Sequence, residues 1–439
     1  MGSVMVSTAA LSGCLTTHEQ ETQIAPVVAR SYLEDKPEVL RPYLMVLMRQ
    51  GPRNQVLNDM RIGLAAMEMG AAPLASELFD DALIRIEAVY ADNPAAEQAR
   101  SLWAKEAVKD FKGEPYERAM AYYYRGLLYM RAGDYENARA SFKGGVLQAA
   151  LGEQERYPVT FSLLVFLEAW ASHCNGDDGL ATETFHEFAR INPKFPPPTK
   201  QADALILIET GAGPVKYADN RGVQRMLKFQ NGGPAEIPQL ILPATGKAPG
   251  TPPPVVIPSL FDDLYVQAST RGGREMDGIV SGKAQFKGGA NTIGDALLGG
   301  GMIAATIGGN RNESYVSAGM LLAGLMAKGV SSAVEAEIDT RYWDNLPGQI
   351  YGMTTTLPAS AALSVAFRDL SGGNIALSRR VDLVSAGRCR LGWVRTRPAL
   401  PHSPRAPNSV DFDQMHNPVP LPDMARGHSR PGDAPRPSP

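Results

Sequence analysis

The chain has 439 residues, which is enough for two or three domains, and its hydrophobic fraction of 44% is typical of a globular protein. The formal net charge is −3, so no basic excess is available to neutralise phosphates, which argues against a nucleic-acid binder. None of the three cysteines, Cys14, Cys174 and Cys389, has CxxC spacing, so neither a zinc site nor a dithiol redox motif is indicated.

A weakly apolar N-terminal run ends with the sequence LSGC at residues 11–14. A leucine, two small residues and a cysteine resemble a bacterial lipobox, whose cysteine receives diacylglycerol. The acyl chains would anchor the protein by burying methylenes worth about 0.8 kcal/mol each. No Lys or Arg precedes the run, so either the signal peptide extends upstream or the match is a coincidence of small residues. Leu15 after Cys14 favours outer-membrane sorting. Residues 1–24 are therefore predicted to be a lipoprotein signal and linker.

Three segments within the next part of the chain, residues 25–200, share one spacing of small and aromatic residues. A small residue is followed by a turn glycine, an alanine and a phenylalanine, seven, five and four positions apart. This is the pattern of the tetratricopeptide repeat (TPR), in which the small residue lets two antiparallel helices approach and the glycine takes a positive φ. A generic helical bundle is the alternative. The positions are Gly63, Gly70, Ala75 and Phe79; Gly126, Gly133, Ala138 and Phe142; and Ala169, Gly176, Ala181 and Phe185.

The first helix of each such pair is expected to line a concave face. The residues predicted there are apolar and rich in methionine, which suits varied apolar partners. Such a groove has to be covered, either by a partner protein or by the chain's own C-terminal half. The candidate partner-groove residues are Met60, Leu64, Met67, Tyr123, Leu127, Met130, Phe166 and Trp170.

Two stretches, FKGEPYERAMAYYYRGLLYMRAGDYENARASF (111–142) and DTRYWDNLPGQIYGMTTTLP (339–358), resemble a family of bacterial TPR lipoproteins of the cell envelope. The resemblance covers most of residues 14–395. It implies a periplasmic protein tethered to the outer membrane through Cys14, in a family sometimes associated with lipoproteins that activate peptidoglycan synthases. It implies no catalytic residue.

The sequence pattern changes after residue 200 from helical spacing to short apolar runs, and residues 201–397 are predicted to form a smaller mixed or antiparallel β module. A hairpin between its later strands is expected to turn at 358–360. Thr245 to Pro254 is predicted to be a surface loop or linker. The fold class expected for the whole chain is α+β. The predicted strands are 204–209, 239–242, 350–357, 361–367 and 389–395.

Two apolar runs, 296–309 and 316–330, are each too short to span a membrane. A glycine-rich helical hairpin packed inside the protein is the favoured interpretation, and a segment touching the membrane or an oligomer interface is the alternative. Residues 398–439 contain eleven prolines and a single aromatic residue, so they are predicted to be a disordered tail.

Few residues suggest chemistry. The segment 278–284 (GIVSGKA) echoes a phosphate loop but lacks its spacing and its Ser/Thr after the lysine. His173 and Cys174 are adjacent on a helix and diverge by about 100°, so a metal site with His186 is disfavoured. Cys174 is instead predicted to be a small buried residue.

Two carboxylate pairs, Asp177-Asp178 and Asp262-Asp263, sit at turns and are most simply helix caps. The best candidates for a specific site are Arg341, Trp343 and Asp344, which precede a Pro-Gly turn and are as readily a packing corner.

The predicted function is that of a periplasmic scaffold lipoprotein of the outer membrane, possessing neither enzymatic activity nor a cofactor or metal. Its expected partners are other envelope proteins and, through the lipid, the membrane. Two alternatives remain open. One is an envelope enzyme or ligand-binding protein with a site near Arg341–Asp344, and the other is a subunit of a secretion or pore assembly that uses residues 296–330.

Overall fold

The computed structural model describes residues 23–88, 110–150, 161–219, 226–233, 235–243, 253–269, 339–358 and 360–400. Helices form the first part of this chain and strands dominate the second, so the α+β class is confirmed. Four predicted features lie outside the described residues, namely the lipobox with Cys14, the 278–284 segment, the glycine-rich hairpin and the tail from residue 401, and so does most of the predicted loop at 245–254.

In the described part of the chain, eight α-helices precede the first strand. Six of them form three consecutive antiparallel pairs, α3 with α4, α5 with α6, and α7 with α8. None of the helices within the described ranges is both long and apolar enough to cross a bilayer. The helices are α1 (Pro26–Leu33), α2 (Arg41–Gln50), α3 (Gln55–Glu68), α4 (Ala72–Glu87), α5 (Pro115–Ala132), α6 (Tyr135–Ala150), α7 (Ser162–Asn175) and α8 (Asp178–Ile191).

A glycine lies in the turn between the two helices of each pair, because the chain there needs a backbone conformation that other residues rarely adopt. Gly70, Gly133 and Gly176 have φ of +78°, +78° and +92°, as their spacing predicts. The crossing contact is closest in the second pair, where a Cβ added to Gly126 would lie 2.3 Å from Cε1 of the buried Phe142. Glycine at this position therefore lets α5 and α6 meet.

Gly126→Ala is accordingly expected to lower the free energy of unfolding by about 1–3 kcal/mol, because the methyl group would overpack the Phe142 ring. This loss opposes the gain of about 1 kcal/mol that alanine normally brings to a helix interior. Gly63→Ala is the matched control, since its added Cβ would lie 3.2 Å from the nearest atom of Phe79. Urea unfolding of both variants measures the difference. Equal changes in the two variants would contradict the crossing geometry.

The strands form two larger sheets and one two-stranded ribbon. A five-stranded sheet has the order β10-β11-β1-β7-β6, in which only β1 and β11 run parallel, and a four-stranded sheet has the order β5-β4-β8-β9. A short helix, α9 (Leu264–Ser269), follows β6. The strands are β1 (Ala204–Thr210), β2 (Val215–Asp219), β3 (Met226–Gln230), β4 (Ile237–Ile241), β5 (Val255–Val256), β6 (Ser259–Asp263), β7 (Gln349–Thr355), β8 (Leu363–Arg368), β9 (Asn374–Val381), β10 (Leu383–Ala386) and β11 (Cys389–Arg395).

The five predicted strand runs correspond to β1, β4, β7, β8 and β11, but the predicted hairpin at 358–360 is wrong. Strand β7 pairs with β1 and β6, whereas β8 pairs with β4 and β9 in the other sheet. Leu357 and Leu363, which flank this connection, are both buried in the core between the sheets. This connection therefore carries the chain from the five-stranded sheet to the four-stranded sheet, and its flanking leucines pack between them.

The layers are helices, the five-stranded sheet and the four-stranded sheet, in that order. Leu205 and Leu207 of β1 belong to the core against the helices, whereas Ile206 and Ile208 belong to the core between the sheets. Every residue of β1 is buried as a result. This explains the continuous apolar run ALILI, which is typical of a strand covered on both faces.

Cys174 is buried as predicted, but it is not a free thiol. It forms a disulfide bond with Cys389 across a sequence separation of 215 residues. The bond joins the end of α7 to the start of β11. At the same place the Tyr135 hydroxyl donates to the carbonyl of Ala386, the last residue of β10. The tip of this hairpin is therefore fixed to the helical layer.

The predicted start of the disordered tail at residue 398 is also early. Ala399 is fully buried, its N–H donates to Glu68 Oε2 at 2.6 Å, and its carbonyl accepts from Asn345 Nδ2. These hydrogen bonds hold residues 398–400 against the end of α3, an interaction that proline content does not reveal.

Candidate functional site

The predicted partner groove is filled by the chain itself. All eight of its candidate residues are buried, with exposed fractions of 0–2%. The eight residues share one buried apolar cluster with Trp343 and with Phe261 of β6, and the Phe261 ring packs on Phe166 at a ring-centroid distance of 4.8 Å. These eight residues therefore offer no surface to a second protein, and their prediction as a partner site is corrected. Apolar side chains left exposed on that face would be unfavourable, and the β-rich half removes them from water. The residues are Met60, Leu64, Met67, Tyr123, Leu127, Met130, Phe166 and Trp170.

The Arg341–Asp344 segment lies at the centre of this contact between helices and strands. The Arg341 guanidinium donates to both carboxylate oxygens of Asp339, at 2.9 and 2.7 Å, and to Asn54 Oδ1 at 2.7 Å. It also donates to the carbonyl of Arg53. Its donors are therefore directed at the segment before α3, and the side chain is only 3% exposed.

Trp343 and Asp344 are similarly committed to internal contacts. Asp344 forms an ion pair with Arg61 of α3, with side chains 9% and 3% exposed. The backbone N–H of Trp343 donates to Glu117 Oε1 at 2.6 Å. The geometry of this segment is that of a packing corner, which the sequence left open as one of two interpretations.

Glu117 ties the same corner to the start of α5. Its second carboxylate oxygen accepts from the backbone N–H of Glu114 at 2.7 Å, which satisfies a donor at the helix N-terminus. Burial raises the pKa of Glu117 to about 7, although the nearby charge of Lys216 lowers it in part. Lys216 itself forms a buried ion pair with Glu114 at 2.9 Å. These carboxylates have internal partners and do not face an open cleft.

Comparisons with known proteins give no information on this site. The chain matches no protein-family model. No curated protein and no solved structure matches it either.

The remaining sequence candidates have structural contacts. Asp262 Oδ2 accepts from the N–H of Leu163 at 2.7 Å and so caps α7, while Asp263 Oδ1 accepts from the N–H of Val266 in α9. These contacts confirm the predicted capping role of that pair. The His173 ring bonds to the carbonyl of Ala202, and the disulfide removes Cys174 from metal binding. Across the described ranges, no cluster of three or more His, Cys, Asp or Glu could hold a metal ion.

Sequence reasoning missed a second buried polar group, at the ends of the parallel strands β1 and β11. Glu209 Oε2 lies 3.4 Å from Arg395 Nε and accepts from the Tyr124 hydroxyl, while Oε1 accepts from Trp393 Nε1 at 2.8 Å. Glu209 and Arg395 are register partners. The available signal was that each charged residue directly follows an apolar run near the end of its strand.

A cavity of about 220 Å³ lies beside this pair, where the ends of α3 and α5 meet strands β9–β11. Four arginines line it: Arg131, Arg379, Arg380 and Arg395. This grouping could not be seen in the sequence, because Arg131 lies more than two hundred residues before the other three arginines. It is a feature of the described residues that could hold a small anion.

Proposed function

We propose that the chain is a lipid-anchored scaffold protein of the bacterial periplasm, tethered to the outer membrane through Cys14. The main support for a periplasmic location is the Cys174–Cys389 disulfide. Disulfides persist in oxidising compartments such as the periplasm and are rare in the cytosol. The LSGC sequence at residues 11–14 adds a means of attachment on the same side of the inner membrane.

The helical part is proposed to consist of TPR-like units of the envelope lipoprotein family. Its support is the shared spacing, the positive φ of the turn glycines and the close approach of Gly126 to Phe142. Since the concave face is filled by the β-rich half, envelope partners are assigned to the outer surfaces of the molecule. The enzyme alternative near Arg341–Asp344 gains no support, because those side chains are buried and paired within the chain.

The anchor and the compartment are tested together in cells of the source bacterium. We expect radiolabelled palmitate to be incorporated into the wild-type chain and lost in Cys14→Ser. After the same envelope fractions are denatured, a maleimide–polyethylene glycol reagent should modify Cys174 and Cys389 only if the sample has also been reduced. Cys174→Ser is the control, since it should expose Cys389 to the reagent without reductant. Labelling of both thiols in the unreduced wild type, or undiminished palmitate in Cys14→Ser, would contradict the proposal.

A further inference from the structure

The arginine-lined cavity holds positive charge that the described residues do not compensate. Arg131, in the last turn of α5, is half-buried and has no hydrogen bond or ion pair with any residue in the described ranges. Burial lowers its pKa, which reflects removal of the guanidinium from water without an opposing carboxylate. Partial removal of a charge from water in this way is less favourable than pairing it with an anion.

Arg395 supplies a second unsatisfied donor. Its side chain is 3% exposed, and its Nη1 is buried without a hydrogen-bond acceptor among the described residues. Its Nη2 donates to the carbonyl of Asn345 at 2.6 Å, which fixes the guanidinium in place. Because Nη1 has almost no accessible surface, it does not face the cavity, and Arg395 contributes a fixed positive charge at the wall.

Among the described residues, the charges around the cavity leave an excess of one positive charge. The four arginines face two lining carboxylates, Glu68 and Asp382, and Glu209 just outside the lining pairs with Arg395. Asp382 pairs with Arg380 at 3.2 Å. Four positive charges thus meet three negative ones, which corresponds to room for one monoanion.

The wall also has apolar side chains that are partly exposed, Val384 and Trp393. The volume of about 220 Å³ is below the roughly 300–1,000 Å³ typical of sites for drug-sized ligands. Arginine donates in a planar fork that matches a carboxylate. From the excess positive charge, the Arg131 guanidinium without a partner among the described residues, and the apolar side chains of the wall, we infer that this cavity binds a small organic carboxylate with a short apolar body. The inference does not depend on the lipid anchor or on the scaffold role.

Benzoate is a suitable probe, with benzamide as its uncharged isostere, and titration calorimetry of the full chain at constant ionic strength measures binding. Saturable binding of benzoate is expected, at least about tenfold tighter than that of benzamide, since a hydrogen bond to a charged group is worth that much. Inorganic phosphate should bind more weakly than benzoate, because it does not use the apolar wall.

Arg131→Gln should weaken benzoate binding about tenfold or more. Arg131→Lys, which keeps the charge but loses the fork, should be intermediate. Arg190→Gln is the matched control, because Arg190 is also an arginine in the last turn of a helix but is exposed elsewhere. A thermal melt establishes that each variant is folded. Absence of saturable benzoate binding to the wild type, equal affinity for benzamide or phosphate, or equal losses in the Arg131 and Arg190 variants would each overturn the inference.

Discussion

Arg341→Ala is expected to lower the free energy of unfolding by about 3–5 kcal/mol, which is the usual consequence of breaking a buried ion pair. Arg341 and Asp339 are 3% and 4% exposed and share two hydrogen bonds. Truncation leaves the Asp339 carboxylate buried without its main partner, and Asn54 and the carbonyl of Arg53 also lose a donor. Urea unfolding followed by circular dichroism gives the change in free energy.

Two comparisons separate this effect from a general loss of charge. Arg380→Ala removes an arginine from an ion pair whose side chains are 83% and 85% exposed, and should change stability by no more than about 1 kcal/mol. Asp339→Leu combined with Arg341→Met should recover much of the stability lost in Arg341→Ala, because no unpaired charge remains. If Arg341→Ala keeps the wild-type stability yet abolishes a cellular phenotype, the ligand-site interpretation of this segment is restored.

The helical pairing could be predicted from sequence because its determinants are local. Gly70, Gly133 and Gly176 need positive φ for reasons that lie within a few residues, and the spacing from Gly126 to Phe142 is set by helix geometry. Strands β1 and β11 could be predicted for the same reason, since both are apolar runs bounded by turns. The hairpin at 358–360 failed because a turn-like sequence does not specify which strand lies next to it.

The candidate site depended on contacts between distant residues and was only partly predictable. The apolar stripe through Met60 and Tyr123 was recognisable, but its cover comes from residues far along the chain, such as Phe261 and Trp343. The Glu209–Arg395 pair depends on the parallel register of two strands at opposite ends of the β-rich half. No pattern in a single sequence contains that register.

The pairing of Cys174 with Cys389 was equally inaccessible, because cysteine spacing does not determine connectivity. In the structure the bond fastens the β10–β11 hairpin to the end of α7, where both cysteines are 3% exposed. The same hairpin lies against Gly133, whose added Cβ would be 3.4 Å from that of Ala386. The disulfide thus links the two halves where their backbones already approach closely.

Removal of this bond in the double variant Cys174→Ala, Cys389→Ala is expected to lower the free energy of unfolding by about 2–5 kcal/mol. The bond closes a loop spanning 215 residues of sequence, so its loss enlarges the unfolded ensemble considerably. Urea unfolding with and without dithiothreitol measures the effect: reductant should destabilise the wild type and leave the double variant unchanged. Cys14→Ser is the matched control, since it removes a cysteine but not this bond, and should retain the wild-type response. Equal effects of reductant on the wild type and the double variant would show that the two halves are held together by packing alone.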